Sequence, residues 1–275
     1  MVEVTVEYIY RVLKTMTGRI SADVSTSSTT NTYIEFLGPP GAGKSTIYRD
    51  IVTKDTIQAI SEETSFQEYF LSISPFSCRF LYQVMPRRIQ KKLNIEVLRY
   101  RLYERSLAEY VQLNPDFLSV LAKIFEQNIP DSNSLFTQFC RSASRYQMAK
   151  TVASCTDIIC IDEGFTQRLA AARWRADDQL MPIMTYLTMV RKPDIIIHID
   201  APSDICLHRQ RERGNVIVST KGEEDPIVEQ RQFREMCDKV SKQASNSGVK
   251  VLKFENMGDP SITSSKCVDY LINST

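Results

Sequence analysis

A chain of 275 residues, 43% hydrophobic and 24% charged, is long enough to bury its own core and too ordinary in composition to be fibrous, disordered or disulfide-stapled. A net charge of +1 excludes whole-molecule attraction to nucleic acid or to an anionic membrane. Seven cysteines without a Cys-x-x-Cys pair, beside only His198 and His208, argue against a zinc site and for free thiols in a reducing compartment.

In chain order, residues 2–17 carry Val2, Val6, Ile9, Leu13 and Met16 on one helical stripe, with Gly18 as a stop. Residues 21–32 are rich in Ser and Thr and read as a linker, so 1–32 is expected as an N-terminal helix and linker. Glu3 and Glu7 stand where a signal peptide would be basic, and no apolar run approaches the ~18 residues of a membrane span. The expected location is the cytoplasm.

A short strand at 33–37 runs into a glycine-rich stretch, and a helix follows to 52. A weak strand is expected near 56–61, and apolar strands at 157–161, 194–200 and 249–254. Helical patterns fill 134–154, 166–190, 203–213, 226–244 and 260–273. Apolar strands alternating with helices predict an α/β fold: a parallel sheet covered on both faces, three layers in all. Residues 64–130 hold no strand pattern and are punctuated by Pro75, Pro86 and Pro115, which predicts a helical insertion.

Residues 38–45, Gly-Pro-Pro-Gly-Ala-Gly-Lys-Ser, fit the Walker A pattern between a strand and a helix. Gly38, Gly41, Ala42 and Gly43 offer a close-approaching backbone whose amides form a nest for phosphate oxygens, helped by the helix dipole from Thr46 onward. Lys44 can reach β- and γ-phosphates, and the Ser45 hydroxyl can ligate Mg²⁺. The expected ligands are therefore ATP, or another nucleoside triphosphate, and Mg²⁺.

The strand at 157–161 ends in Asp162 and Glu163, at the sheet edge where ligands of parallel sheets collect. Asp162 is a second metal candidate; Glu163 can orient the acceptor, act as base or brace the site. Arg209 and Arg213, four apart on one helix, are candidates to stabilise charge on a transferring phosphoryl group.

These motifs resemble the P-loop nucleoside and nucleotide kinases, particularly the thymidylate-kinase and adenylate-kinase group. The resemblance rests on residues 38–44, on Pro193-Asp194 leading a strand, on Asp200-Ala201-Pro202, and on 209–214 with its arginines. It implies a three-layer P-loop kinase fold over 33–275, with the insertion 64–130 and a lid at 212–226. It also implies acceptor contacts: Arg141 and Arg145 on the helix before the acidic strand, and Glu62 and Glu63 after the second strand. Asp162-Glu163-Gly164 replaces the group's Asp-Arg pair, with Arg168 further on as another acceptor candidate. Glu104-Arg105-Ser106 repeats a deoxynucleoside-kinase tripeptide but lies in a stretch too charged for a buried strand.

Residues 79–105 are basic, with Phe80, Tyr82, Tyr100 and Tyr103 interleaved, which suits an acidic acceptor. The leading expectation is an ATP-dependent phosphotransferase acting on a small acidic or hydroxyl-bearing acceptor, nucleoside-, nucleotide- or sugar-like, and compatible with a homodimer. One alternative is a kinase acting on a nucleotide or end within a nucleic acid. Another is a P-loop NTPase coupling hydrolysis to signalling or assembly, although neither an ABC-type signature nor an Asn-Lys-x-Asp motif is present.

Overall fold

The computed structural model describes residues 31–54, 57–74, 79–80, 83–84, 99–126, 131–154, 157–176, 178, 180–214, 216 and 225–272. The expected N-terminal helix and nearly all of its linker lie outside these residues, as do most of the basic stretch before residue 99, most of the expected lid, Cys78 and Cys155.

Five strands form one sheet: β1 (Thr32–Leu37), β2 (Ala59–Ile60), β3 (Ile158–Ile161), β4 (Ile195–Asp200) and β5 (Lys250–Glu255). Their order is β2-β3-β1-β4-β5, and every pairing is parallel. The helices are α1 (Lys44–Val52), α2 (Glu62–Ile73), α3 (Arg99–Leu113), α4 (Phe117–Glu126), α5 (Ser132–Val152), α6 (Phe165–Arg175), α7 (Ile183–Met189), α8 (Ser203–Glu212), α9 (Pro226–Asn246) and α10 (Pro260–Ile272). This is a three-layer α/β fold, with the glycine-rich stretch of residues 38–45 leaving the central strand.

The two-residue period of a strand divides the core. Ile34, Phe36, Cys160, Ile197 and Ile199 face one layer, where they meet Ile47 and Ile51 of α1 and Cys267, Val268 and Leu271 of α10. Tyr33, Leu37, Ile159, Ile161 and Ile196 face the other, packing with α3 to α7 and α9. Tyr69, Phe70, Leu102 and Met148 join α2, α3 and α5 in a smaller cluster. Glu104, Arg105 and Ser106 lie within α3, away from any strand. Cys160, Cys206, Cys237 and Cys267 are buried free thiols. Among the described residues no helix is long and apolar enough to cross a membrane.

The single helix expected over 166–190 is instead two, α6 and α7. Asp178 takes the left-handed conformation (φ 64°), and Pro182 caps α7, so the chain cannot continue helically between them. The Arg173 guanidinium holds the connection, donating to Asp178 Oδ1 (2.7 Å) and to the carbonyls of Asp178 and Leu180 (both 3.1 Å). The weak second strand shrinks to Ala59 and Ile60 at the sheet edge.

Two buried carboxylates and a buried histidine sit on the α6–α9 side of the sheet. Glu35 is treated below. The buried Asp200 accepts a two-pronged bond from Arg234 (2.6 and 2.7 Å), and Lys253 lies 3.1 Å away. Burial works against ionisation, yet the hydrogen bonds from Arg234 and Lys253 hold its carboxyl below the usual range. His198 is fully buried, and neither ring nitrogen has a hydrogen-bond partner among the described residues. Burial, reinforced by Lys253, pushes its pKa below the ordinary 6.5.

That displacement has a definite sign. The unfolded chain takes up the histidine proton first, so this site removes stability as pH falls from about 6.5 towards the folded-state value. Replacing His198 with phenylalanine should therefore reduce the loss of stability between about pH 7 and pH 5, measured by urea unfolding. An unchanged difference between the two pH values would contradict the assignment.

Candidate active site

The loop between β1 and α1 is shaped by what closes on it from outside. Gly41 and Gly43 take positive φ (85° and 98°), which other residues adopt only with strain. A Cβ at Gly41 would strike the carbonyl oxygen of Cys206, and one at Gly43 the side-chain amide of Asn256. Glycine is thus required twice over, by conformation and by contact.

Every carbonyl from Gly38 to Gly43 has a partner. Lys44 Nζ donates to the carbonyls of Gly38 (2.7 Å) and Pro39 (3.0 Å). The buried Gln210 and Gln230 both donate to Pro40 O, at 3.1 and 2.9 Å. Arg209 donates to Gly41 O (3.4 Å), Asn256 to Ala42 O (2.6 Å), and the amides of Thr46 and Ile47 to Gly43 O (both 3.1 Å). The amides are treated differently. Gly38 donates to Gln167 Oε1 (3.0 Å) and Ala42 to Pro39 O (3.1 Å). No acceptor is found among the described residues for the amides of Gly41, Gly43, Lys44 and Ser45. With its acceptors engaged and four donors open, the loop has the polarity of an anion-binding nest at a helix N-terminus.

Across from it, β3 ends at Asp162 and Glu163. The Ser45 hydroxyl is within interaction range of the Asp162 carboxylate, whose buried Oδ1 has no hydrogen-bond partner among the described residues. Burial raises the Asp162 pKa, against the opposing pull of Ser45 and Lys44. A hydroxyl beside an under-satisfied carboxylate oxygen fits a hard divalent cation. No group of three or more His, Cys, Asp or Glu side chains suited to a metal occurs among the described residues. A Mg²⁺ ion here would complete its shell with phosphate oxygens and water.

Glu163 pairs with Arg168 (2.5 Å), which also donates to Gln138 Oε1 (2.8 Å). Burial raises the Glu163 carboxyl, but Arg168 and Lys44 outweigh it and hold the pKa below the usual range. The turn carrying both acids is anchored from beneath by Glu35. Its buried carboxylate accepts from the amides of Phe165 (2.8 Å) and Thr166 (2.7 Å), from the Thr166 hydroxyl (2.5 Å) and from the Tyr33 hydroxyl. A Cβ on Gly164 would fall on this carboxylate. Glu35 therefore caps α6 from the neighbouring strand, and Gln167 on the same first turn reaches the loop amide of Gly38.

The remaining expected residues divide. A cavity of about 300 Å³ opens from Pro40, Gly41, Gly43, Lys44 and Ser45, bringing them together with Glu163, Arg168 and Arg213. Arg209 is not part of it. Its guanidinium is spent on backbone carbonyls, including Gly258 O (2.8 Å) and Asn256 O (3.3 Å) as well as Gly41 O. Arg213, the C-cap of α8, keeps helical geometry and donates its amide to Arg209 O (3.3 Å), so the two differ in what their side chains meet: carbonyls for Arg209, the cavity for Arg213. Glu62 begins α2 and pairs with Arg145 (2.8 Å), with the Tyr103 hydroxyl donating to it at 3.4 Å. Glu63 and Arg141 are exposed. Sequence reasoning missed Glu35, Gln167, Gln210, Gln230 and Asn256.

The sequence matches no family profile and no curated protein. Among solved structures the chain is similar to a deoxyadenosine kinase from M. mycoides with bound dCTP, at 14% identity and a TM-score of 0.44, over 89% of this chain and 100% of that one. The same kinase with bound dATP aligns at 14% identity and a TM-score of 0.45, over 88% and 98%. The likeness is one of chain course at low identity.

Proposed function

We propose that this protein is a phosphotransferase that binds a Mg²⁺–nucleoside triphosphate, ATP being the expected one, and passes the γ-phosphoryl group to a small acceptor. The observation that carries this reading is the loop itself, with its carbonyls engaged and the amides of Gly41, Gly43, Lys44 and Ser45 open beside a buried ammonium.

In this reading the loop amides hold the polyphosphate, and Lys44 exchanges its two carbonyl partners for phosphate oxygens. Ser45 and Asp162 would hold Mg²⁺, which supplies charge neutralisation when bound. Arg213 supports charge on the transferring group. An acceptor hydroxyl oxygen bonds to the γ-phosphorus, the bond to the β–γ bridging oxygen breaks and leaves the diphosphate, and the hydroxyl proton passes to solvent water. Glu163 is paired with Arg168 (2.5 Å), so its part is to orient that guanidinium. A loose transition state places little demand on a base. Arg209 and Asn256 act on the loop's backbone rather than on the reacting group.

Incubation with Mg²⁺ and γ-labelled ATP, across nucleosides, nucleotides, sugars and sugar phosphates, tests this. Label is expected on at least one acceptor. Release of free phosphate only, across the whole panel, would sink the reading and favour an NTPase.

A further inference from the structure

The loop of residues 38–45 contains a β-turn from Pro39 to Ala42, closed by the Ala42 amide donating to the Pro39 carbonyl (3.1 Å). Pro40 and Gly41 are its central residues, and Gly41 at φ 85° gives it the type II form. Type I is the competing form. Proline suits the first central position of both, and glycine readily takes the φ of about −90° that type I needs at the second. The two forms differ by a flip of one peptide plane, that between Pro40 and Gly41. The turn's own residues do not choose between them.

The choice matters to the site. A trans peptide points its carbonyl and its N–H in opposite directions. Here the Pro40 carbonyl faces α8 and α9, so the Gly41 amide, one of the four open donors, is turned the other way, and Gly41 lines the cavity. A flipped peptide would put carbonyl oxygen where that donor stands, and an oxygen lone pair repels an anion.

Two buried side chains hold the carbonyl in place. Gln210 of α8 donates to it at 3.1 Å and Gln230 of α9 at 2.9 Å. Gln210 Nε2 also donates to Gln230 Oε1 (3.0 Å), which fixes the two carboxamides against each other. They are 2% and 0% exposed, so no bulk water stands ready to replace the carbonyl. A flip would strand two buried donors at once, and that penalty decides the turn type.

We propose that Gln210 and Gln230 are positioning residues: together they select the type II turn and so aim the Gly41 amide at the polyphosphate. The inference deepens the phosphotransferase reading and rests on it for the identity of the anion. Neither glutamine touches the reacting atoms; both act through the Pro40–Gly41 peptide.

Pro40–Gly41 is the only Pro-Gly step in the sequence. Full-length protein labelled with ¹³C at proline carbonyls and ¹⁵N in glycine therefore gives a single carbonyl-to-amide NMR correlation, from this peptide alone. It is followed in wild type, Gln210→Met, Gln230→Met and the double variant, methionine keeping the side-chain length without the donors. Titration with a Mg²⁺–non-hydrolysable ATP analogue should shift the wild-type correlation. In the double variant the correlation should move or split before any ligand is added. Calorimetry should show analogue binding weakened by about tenfold or more, and by more than the two single losses multiplied, because either glutamine alone still holds the carbonyl. The other glycine amides, Gly248 at the turn after α9 among them, report an intact fold. Should the double variant not fold, each single variant must still displace the correlation. Wild-type analogue affinity in the folded double variant would overturn the proposal. So would analogue binding that leaves the wild-type correlation unmoved. If no analogue binds wild type yet loss of the glutamines displaces the correlation, their hold on the turn stands and the triphosphate reading fails.

Discussion

Lys44→Ala should lower phosphoryl transfer by on the order of 10²–10³-fold while leaving the fold in place. The ammonium is buried yet, among the described residues, bonded only to two loop carbonyls, Gly38 and Pro39, so no distant described element depends on it. Removing it frees those carbonyls at the rim of an open cavity, where water can replace it. The transferring group loses a charge-assisted donor that solvent cannot match in a water-poor site. Circular dichroism and thermal melting should change little while labelled transfer collapses. Transfer at the wild-type rate in Lys44→Ala would remove this residue from the chemistry.

Glu35→Ala should have the largest effect on stability, about 3–5 kcal/mol, or on the order of 10 °C in melting temperature. Its carboxylate accepts from two amides and two hydroxyls in a fully buried setting. Alanine leaves those donors without an acceptor and opens a cavity beneath α6. Activity should fall further than stability, even at temperatures where the variant is fully folded. The same turn carries Asp162 and Glu163, and Gln167 from α6 holds the loop amide of Gly38. Glu35→Gln keeps the volume but turns a donor towards donors, so it should recover only part of the loss. An unshifted melt with wild-type turnover in Glu35→Ala would contradict this positioning role.

The glycine-rich loop and its place between a strand and a helix were legible because the pattern is local, carried by eight consecutive residues, 38–45. The parallel sheet was legible for a similar reason, since strands buried on both faces read as continuous apolar runs. What holds the loop in shape was not legible. Gln167, Gln210, Gln230 and Asn256 lie 129 to 214 residues away from the loop atoms they touch. As isolated glutamines and an asparagine they carry no spacing signal. Glu35 did carry one. A carboxylate inside a central strand buried on both faces requires a set of donors, and asking for that set would have marked it. Arg209 and Arg213 show the opposite limit: helical spacing placed them on a common face, but only the structure shows that Arg209 is taken up by the carbonyls of Gly41, Asn256 and Gly258. The break within 166–190 has a local marker in Pro182, whose ring disfavours a helix running through it.

The central claim is that the loop of residues 38–45 grips a triphosphate, and direct binding tests it without knowledge of the acceptor. Titration of the full chain with a non-hydrolysable ATP analogue should reveal one saturable site that depends on Mg²⁺ and is strongly weakened in Lys44→Ala. Absence of binding by the folded wild-type protein to any Mg²⁺–triphosphate, purine or pyrimidine, would contradict the account at its root.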